Sequence, residues 1–394
     1  MIKNEHFICI SSADWDNPYW TNQQHIMSRL AKENKVLYVE SIGLRQPVLQ
    51  KKDLRRLWRR LQRFFQGPIK KSENLYTYSP LLLPFYKYAV VRHLNHWILR
   101  TSIKRLIRKL KLDAPVLWSY VPNAVYLKGH LGEKLVVYHC VDEIAANPLI
   151  PGESVLAMEK IFLQVADLTF VSSRELYRIK KSWAKEIYYL PNVADVEHIL
   201  KLADPGVGIP EDMRRMPRPV LGFVGAISAY KLDFALLENV ARSRPGWSIV
   251  LIGAVGEGEK AADFSGISAL PNIHILGGRD YSLLPNYLKS FDVCLLPSRL
   301  NEYTRHMFPL KFFEYLASGK PVVSTALPSL AEFAAYFYQA NQADDFVAQV
   351  ELALTEDKTG GAKRMEVAKK YSWNIRLEEI SSLLEGKLTL DARK

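Results

Sequence analysis

Short apolar runs alternate with amphipathic helical patterns along the first half of the chain. The runs HFICISS and KVLYVES flank TNQQHIMSRLAKEN, whose apolar residues recur at helical spacing after Thr21, a candidate N-cap. Four further runs predict strands, and helical patterns separate the last three: APVLWSYVP, KLVVYHCVD, ADLTFVSS and EIYYLPN. Alternating strands and helices predict a doubly wound α/β domain with parallel strands at residues 1–203.

The alternation stops over residues 204–219 and then resumes. This stretch contains four prolines, two glycines and no periodic apolar face, so we interpret it as a linker. Beyond it, further apolar runs predict five strands with helices between most of them: PVLGFVG, WSIVLIG, NIHILGG, DVCLLPS and PVVST. The pattern thus predicts a second Rossmann-like domain at 220–370, followed by a helix at 371–394 that crosses back to the first domain.

The composition is that of a globular protein and excludes several other classes. The 394 residues are 48% hydrophobic and 24% charged, which excludes a disordered chain, a collagen-like fibre and a disulfide-stapled miniprotein. Cys9, Cys140 and Cys294 lie in apolar runs without a CxxC pair, so we expect buried thiols of a cytoplasmic protein. The first apolar run is too short for a signal peptide, and no run is long enough to span a membrane.

Positive charge is concentrated at the start of the chain. Residues 1–110 hold 21 Lys and Arg against 7 Asp and Glu, a net of +14 in a chain whose total is +12. Most of the excess lies in segments 51–71 and 87–111, which we predict to be basic amphipathic helices that bind an anionic membrane surface. The alternative is a solvated helix whose apolar stripe, such as Ile103 and Leu106, packs on the core. No nucleic-acid-binding motif accompanies the charge.

Glycines follow two predicted strands of the second half. LGFVGAIS places Gly222 and Gly225 at one strand end, and LIGAVGEG places Gly253 at another. Neither sequence opens a helix as GxGxxG, so NAD binding is weakly supported. Such glycines allow backbone N–H groups to approach a phosphate or a sugar closely. Plain tight turns are the alternative.

The most specific stretch of the chain is DVCLLPSRLNEYTRHMFPLKFFEYLASGKPVVST, residues 292–325. Here the sequence resembles nucleotide-sugar glycosyltransferases of the GT-B fold, in the broad retaining family. It is most similar to the branch that makes cell-surface polysaccharides such as teichuronic acid. SSADW, ADLTFVSS, LPNVAD and GFVGAIS extend the resemblance over nearly the whole chain. The resemblance implies two Rossmann-like α/β domains that face each other across a cleft.

A nucleotide-sugar donor offers a diphosphate, a ribose diol and a base to such a site. Lys311, which opens a predicted helix after a proline, can place its ammonium on the diphosphate. Glu314, one turn later, can accept hydrogen bonds from both ribose hydroxyls, and the resemblance implies this role. Gly319 is the expected C-cap of the helix. Gly225 is a further donor-binding candidate, and Arg279 lies where the family holds the base.

The sequence departs from the family pattern at two positions near the donor. His306 stands where the wider family often has a first glutamate, near the donor sugar. A family arginine falls on Ala226, while its companion lysine falls on Lys231, so the usual two-cation clamp is incomplete. We expect Arg299 or Arg305 to substitute, together with Lys311.

The acceptor side is predicted from the first domain. His139 and Asp142 form the only close pair of candidate base and charge-stabilising groups after the run KLVVYHCVD, so both are candidate catalytic residues. A core histidine and a helix N-cap are the alternatives. In the family a histidine here contacts the donor sugar, whereas in a related glucuronosyltransferase type an aspartate acts as base. Trp15, Trp20 and His25, around the first loop, are candidate acceptor-binding residues.

These observations predict a peripheral-membrane GT-B glycosyltransferase at the inner face of the plasma membrane. The donor is a UDP-sugar, or alternatively GDP-mannose, and the acceptor is a lipid-linked saccharide. No cofactor and no metal ion are expected, because GT-B enzymes generally need none, although Asp14-Trp15-Asp16 has the DxD form. The resemblance to the family implies that the reaction retains the anomeric configuration, whereas a base at Asp142 implies inversion. Both stereochemical outcomes therefore stay open.

Two other functions compete with this reading. A GT-B sugar-nucleotide epimerase would bind the same donor without an acceptor or a membrane. A non-catalytic membrane- or glycan-binding protein would explain the departures at His306 and Ala226 as a decayed site.

Overall fold

The computed structural model describes residues 1–17, 20–40, 63–64, 66–83, 88–150, 152–256 and 264–391. The chain forms two compact units. Met1–Leu190 and the segment from Leu377 onward make up the first, and Pro191–Arg376 makes up the second. The prediction that the C-terminal helix returns to the first domain is confirmed by this grouping.

The first unit is built on a sheet with the order β3-β4-β2-β1-β5-β6-β7-β8, in which only β3 is antiparallel to its neighbour. Its strands are β1 (His6–Ile10), β2 (Lys35–Val39), β3 (Ile69–Lys70), β4 (Leu75–Tyr78), β5 (Val116–Ser119), β6 (Leu135–Cys140), β7 (Leu168–Val171) and β8 (Ile187–Tyr189). Its helices are α1 (Asn22–Leu30), α2 (Ala89–Leu110), α3 (Gly152–Val165) and α4 (Arg174–Lys180).

The core of this unit explains why its strands are apolar on both faces. Leu117 and Tyr138 of the sheet pack with Leu99 of α2 and Phe162 of α3, and all four are buried. A parallel sheet covered on both sides buries successive residues of a strand, so its strands are apolar without interruption. The prediction of a parallel α/β first domain is confirmed. The predicted buried state of the three cysteines is also confirmed.

The structure describes only the end of the first predicted basic helix and reassigns the apolar stripe of the second. Residues 51–62 and 65 of segment 51–71 lie outside the described residues, Arg63, Phe64 and Gln66 are helical, and Ile69–Lys70 is a strand. In segment 87–111, α2 is confirmed as a helix, but Ile103 and Leu106 are buried in the core. The stripe predicted to face a membrane therefore packs inward, as the alternative interpretation held.

The second unit contains a fully parallel sheet of order β11-β10-β9-β12-β13-β14. Its strands are β9 (Val220–Val224), β10 (Ser248–Ile252), β11 (Ile273–Gly277), β12 (Val293–Leu296), β13 (Val322–Thr325) and β14 (Tyr338–Ala340). Its helices are α5 (Val196–Leu200), α6 (Phe234–Ser243), α7 (Ser265–Ser268), α8 (Leu284–Ser290), α9 (Glu302–His306), α10 (Lys311–Ala317), α11 (Ala343–Leu354) and α12 (Lys358–Lys370). A last helix, α13 (Trp373–Asp391), begins in this unit and ends in the first.

The segment predicted as a linker belongs to the second unit. The units divide after Leu190, whereas the sequence places the domain boundary at residue 203. Met213, from the middle of the segment 204–219, is buried in the core beside α8. Among the described residues, the helices are too short or too polar to cross a membrane.

Candidate functional site

The carboxyl ends of β9 and β12 lie next to each other in the second sheet, so the loops that follow them meet. The backbone N–H of Arg299 donates to the carbonyl oxygen of Lys231 at 2.8 Å. The Asn301 side chain donates to the carbonyl of Tyr230 at 2.7 Å, and Arg299 Nη1 donates to the carbonyl of Ala229 at 3.3 Å. The structure therefore brings together the two loops that carry Lys231 and Arg299.

Gly225 follows β9 directly and lies against the loop after β10. Its N–H donates to the carbonyl of Ile252 at 2.9 Å, and a Cβ added at Gly253 would collide with the Gly225 carbonyl oxygen. Gly222 lies within β9, where a Cβ would collide with the ring of Phe291. Close packing accounts for these glycines in the sheet and its turns, and the donor-binding role of Gly225 stays a prediction.

Glu314 of α10 is a buried carboxylate held on both oxygens. Its Oε1 accepts a hydrogen bond of 2.9 Å from the hydroxyl of Tyr281. Its Oε2 lies 2.6 Å from the ammonium of Lys311, one turn earlier on α10. Glu314 is only 6% exposed. The two donor residues predicted from the helix motif are thus in direct contact.

Tyr281 joins three parts of the second unit and was not predicted as a site residue. The Lys311 ammonium lies 5.1 Å from the centroid of its ring. On another side, the ring of His198 lies 4.8 Å away, and His198 Nε2 contacts the Tyr281 carbonyl at 2.9 Å. Its position three residues after the glycine pair at the end of β11 is a signal that could have identified it. His198 carries no such signal, because it is far away in sequence.

The packing of α10 fixes the position of Glu314. Phe312 and Phe313 are fully buried in an aromatic cluster with Phe333. On the other face, the Tyr315 hydroxyl accepts a hydrogen bond of 2.7 Å from the N–H of Val224, the last residue of β9. Ser318 is the C-cap of the helix, and Gly319, the predicted cap, follows it at a positive φ of 73°. Glu314 therefore projects from a rigid element at the carboxyl edge of the sheet.

His306 is the last residue of α9 and is 4% exposed. Its Nδ1 lies 2.8 Å from the carbonyl oxygen of Glu302. A carbonyl oxygen can only accept, so Nδ1 carries a proton. A buried imidazole is chemically different from the glutamate that the wider family often has at this position.

The Arg279 guanidinium forms hydrogen bonds within the second unit. Nη2 donates to Asp212 at 2.9 Å, Nε donates to the hydroxyl of Tyr287 at 2.8 Å, and Nη1 donates to the carbonyl of Leu276 at 2.5 Å. These contacts fasten the segment around Asp212 to α8. These hydrogen bonds give Arg279 a structural role, while its predicted contact with the nucleotide base stays a prediction.

In the first unit, the three predicted acceptor residues lie together. The rings of Trp15 and Trp20 are 5.4 Å apart, and those of Trp20 and His25 are also 5.4 Å apart. Tyr38 of β2 extends this chain of rings, 5.0 Å from Trp15. Sequence reasoning missed Tyr38, because it is an ordinary inward-facing strand residue by pattern.

Asp16 of the DxD stretch is engaged in ion pairs within the first unit. Asp16 forms ion pairs with Lys71 at 2.6 Å and with Arg63 at 3.2 Å. Arg63 also contacts the buried Glu40 at 3.3 Å, and Glu40 accepts from the backbone N–H of Trp15 at 3.0 Å. Within the described part of the chain, no group of three possible metal ligands lies close together.

The structure separates the environments of His139 and Asp142. His139 lies inside β6 and is 3% exposed, with its ring stacked on Tyr120 at 4.9 Å and edge-on to Phe170 at 5.7 Å. Asp142 follows the end of β6 in a loop and is half-buried. An aspartate at the carboxyl edge is the better placed of the two to reach a ligand.

Known proteins are similar to this chain in sequence and in fold. A sequence profile of the family described as "Glycosyl transferases group 1" matches residues 218–356, which include the Glu314 helix. The chain is 31% identical over 284 residues to TuaH of Bacillus subtilis (strain 168), named as a glycosyltransferase of teichuronic acid biosynthesis. The match covers 67% of this chain and 70% of TuaH.

Solved structures show the fold. Sucrose-phosphate synthase from Thermosynechococcus elongatus has a TM-score of 0.69 at 15% identity, over 99% of this chain and 100% of that one. Anabaena HepE, in complex with UDP and glucose, has a TM-score of 0.69 at 13% identity, over 97% and 100% of the two chains. Trehalose-6-phosphate synthase OtsA has a TM-score of 0.71 at 14% identity, over 97% and 99%. The chain has the GT-B fold and belongs to the group 1 glycosyltransferases.

Proposed function

We propose that this glycosyltransferase moves a hexosyl group from a UDP-sugar to a lipid-linked saccharide in the synthesis of a cell-surface polysaccharide. The observation that carries the proposal is the buried Glu314 carboxylate, contacted by Lys311 and Tyr281 at the carboxyl edge of the second sheet. Ligands of open α/β sheets bind at this edge. A fixed carboxylate there suits a ribose diol, which presents two hydroxyl donors.

Three cations of the second unit suit the diphosphate of the donor. An ammonium has three N–H donors, so Lys311 can keep its contact with Glu314 and also donate to a phosphate oxygen. Lys231 and Arg299 come from the two loops that meet beside β9. In the reaction the bond between the anomeric carbon and the diphosphate oxygen breaks, and negative charge develops on the diphosphate. Fixed cations that stabilise this charge lower the barrier without a metal ion.

The acceptor supplies the other half of the reaction. Its hydroxyl oxygen bonds to the anomeric carbon, and its proton passes to a base, for which Asp142 is the candidate. Trp20 is the partly exposed ring of the group, and its apolar face, supported by the buried Trp15 and His25, suits a saccharide. HepE, the neighbour bound to UDP and glucose, supports UDP as the nucleotide, and the name of TuaH supports a cell-surface polysaccharide as the product.

The surface of α2 supports attachment to the inner face of the plasma membrane. Val90, Leu94 and Trp97 are 79%, 41% and 57% exposed. Their spacing places them on one face of the helix, opposite the buried Leu99 and Ile103. The helix carries six Lys and Arg residues and no acidic residue. Each cation near an anionic leaflet adds about 1 kcal/mol of binding free energy, so this face suits a peripheral contact.

Product analysis tests the proposal against its competitors. The purified chain is incubated with UDP-glucose, UDP-N-acetylglucosamine or GDP-mannose, with and without a membrane lipid extract, and the products are separated by mass spectrometry. We expect UDP to be released and the sugar to appear on lipid, or slowly on water. Release should be lost in Glu314→Ala and retained in Glu332→Ala, a matched exposed glutamate of the same unit. An isomerised UDP-sugar without release would indicate an epimerase, and an intact donor in every reaction would indicate a binding protein.

A further inference from the structure

A fully buried lysine lies beside the loop that carries Asp142. Lys180 ends α4 and is 0% exposed. Its ammonium lies 2.7 Å from Glu143 Oε2 and 2.7 Å from Glu159 Oε2. Glu159 belongs to α3 and is also 0% exposed, whereas Glu143 belongs to the loop after β6. One cation therefore joins two helices and a loop in the interior of the first unit.

Two residues of β6 complete the cluster. The hydroxyl of Tyr138 donates to Glu159 Oε1 at 2.6 Å, and the thiol of Cys140 lies 3.4 Å from the same oxygen. Burial raises the pKa of the Cys140 thiol well above its ordinary value, so the sulfur keeps its proton and can donate. Successive residues of a strand point to opposite faces, which is why Tyr138 and Cys140 join the cluster while His139 lies in the aromatic layer on the other face.

The Lys180 ammonium binds two carboxylates, and one of them belongs to a loop. Lys180 and Glu159 alone would form a neutral buried pair. Burial lowers the pKa of Lys180, but the carboxylates of Glu159 and Glu143 outweigh it, so the pKa is raised and the lysine stays charged. Glu143 brings a second carboxylate to the same ammonium and belongs to the loop after β6, so this ion pair attaches the loop to the interior.

The same loop is held by contacts on both sides of Asp142. The Cys140 thiol lies 3.4 Å from the carbonyl oxygen of Asp142 itself, and Glu143 is the next residue. Earlier in the loop, the hydroxyl of Ser172 donates to the carbonyl of Val141 at 2.6 Å. The backbone of Asp142 thus lies between the contact of Ser172 with Val141 and the ion pair of Lys180 with Glu143.

We propose that Lys180 is a positioning residue, which acts through Glu143 to fix the loop that holds Asp142 at the carboxyl edge of the first sheet. The inference rests on the proposed function, because it assigns the cluster a purpose in glycosyl transfer. Precise placement of a reacting group contributes strongly to rate, and a loop held by a buried ion pair provides that placement.

Substitutions of Glu143 test this inference without unfolding the cluster. Glu143→Ala detaches the loop but leaves Lys180 and Glu159 as a neutral pair, so the variant should fold. Glu143→Gln keeps an acceptor for the Lys180 ammonium, so the loop should stay attached to the lysine in this variant. Glu133→Ala is the matched control, because Glu133 accepts from Leu131 N–H at 3.0 Å in the loop before β6. Each variant is studied as the full chain.

Two readouts are combined. We expect amide hydrogen exchange of peptides spanning 141–150 to be about tenfold faster in Glu143→Ala, and like the wild type in Glu143→Gln and Glu133→Ala. With a UDP-sugar that the wild type turns over, kcat for UDP release should fall about tenfold in Glu143→Ala, with KM for the donor within about twofold, and Glu143→Gln should recover it.

Several outcomes would overturn the inference. They are unchanged exchange in Glu143→Ala, faster exchange with unchanged kcat, or an equal loss of kcat in Glu143→Ala and Glu143→Gln. A wild-type chain that turns over no donor would instead refute the proposed function. The exchange measurement would still decide whether Lys180 holds the loop.

Discussion

The hydroxyl of Tyr281 donates a 2.9 Å hydrogen bond to Glu314, although 33 residues separate the two along the chain. The opposite oxygen of the same carboxylate faces the Lys311 ammonium at 2.6 Å. Glu314 is consequently held in one orientation by two neighbours from different elements. A preoriented acceptor loses little conformational freedom when a ligand binds, which is the physical advantage of this arrangement.

Tyr281→Phe removes one of these two contacts and keeps the aromatic ring between His198 and Lys311. A hydrogen bond to a charged group is worth about 1.5–3 kcal/mol, so UDP affinity should fall about tenfold or more. Tyr287→Phe is the control, because this tyrosine bonds Arg279 instead of Glu314. Isothermal titration with UDP measures the effect. Equal affinities in Tyr281→Phe and the wild type would show that Tyr281 does not serve the nucleotide site.

Arg279→Ala should lower stability more than nucleotide affinity. The guanidinium bonds Asp212, Tyr287 and a backbone carbonyl, so its removal should cost about 2 kcal/mol of unfolding free energy. Asp212→Ala should lose a similar amount, and the double variant should lose less than the sum. Denaturant titration measures these changes. A large loss of UDP affinity at unchanged stability would instead show that Arg279 contacts the base of the nucleotide.

Trp97→Ser on the exposed face of α2 should weaken binding to anionic vesicles about tenfold, because an exposed aromatic ring gains from insertion in the interface. UDP affinity should be unchanged. Leu352→Ser is the matched control, since Leu352 is 54% exposed on the second unit. Sedimentation with vesicles containing phosphatidylglycerol measures the partition. Equal sedimentation of Trp97→Ser and Leu352→Ser would contradict a membrane contact through this face.

His96 on the same helix should make stability depend on pH. Burial, His93 and Arg92 lower the pKa of His96 from 6.5 to about 4. Between pH 6.5 and about 4, the unfolded chain therefore binds more protons than the folded chain. The stability should decrease as the pH falls through this range, and His96 should have no effect on it at higher pH. The imidazole is partly exposed, so the loss is about 1 kcal/mol at most.

Thermal unfolding at about pH 5 and about pH 7.5 measures this dependence. In His96→Gln the difference between the two melting temperatures should be smaller than in the wild type. His130→Gln, at an exposed histidine of the same unit, should leave the difference unchanged. A wild-type difference preserved in His96→Gln would show that His96 titrates normally.

The parallel architecture could be predicted from the sequence because fully buried strands produce uninterrupted apolar runs. The short strands β3, β4 and β14 were missed, since Ile69–Lys70 and Tyr338–Ala340 are too short to show a period. The face of α2 that carries Ile103 and Leu106 was predicted to contact a membrane, whereas it packs on the core. Periodicity shows that Ile103 and Leu106 share a face, but it does not show whether that face meets the core or a membrane.

The candidate site was predictable only where its residues are close in sequence. Lys311 and Glu314 are three apart on one helix, so their proximity follows from helical geometry. Tyr281 and His198 reach the site from other elements, and the partners of Lys180 are 21 and 37 residues away. Contacts of this kind depend on the tertiary fold, and a single sequence gives no periodic signal for them.

The central claim is that the Glu314 cluster binds the nucleotide of a sugar donor. Thermal unfolding of the full chain with UDP, GDP, ADP and TDP tests it most directly, with Glu314→Ala and Glu332→Ala measured in parallel. We expect UDP at a hundredfold excess over its dissociation constant to stabilise the wild type and Glu332→Ala by about 2.7 kcal/mol. Glu314→Ala should show no shift. An equal UDP shift in Glu314→Ala, or no shift of the wild type with any nucleotide, would contradict the account.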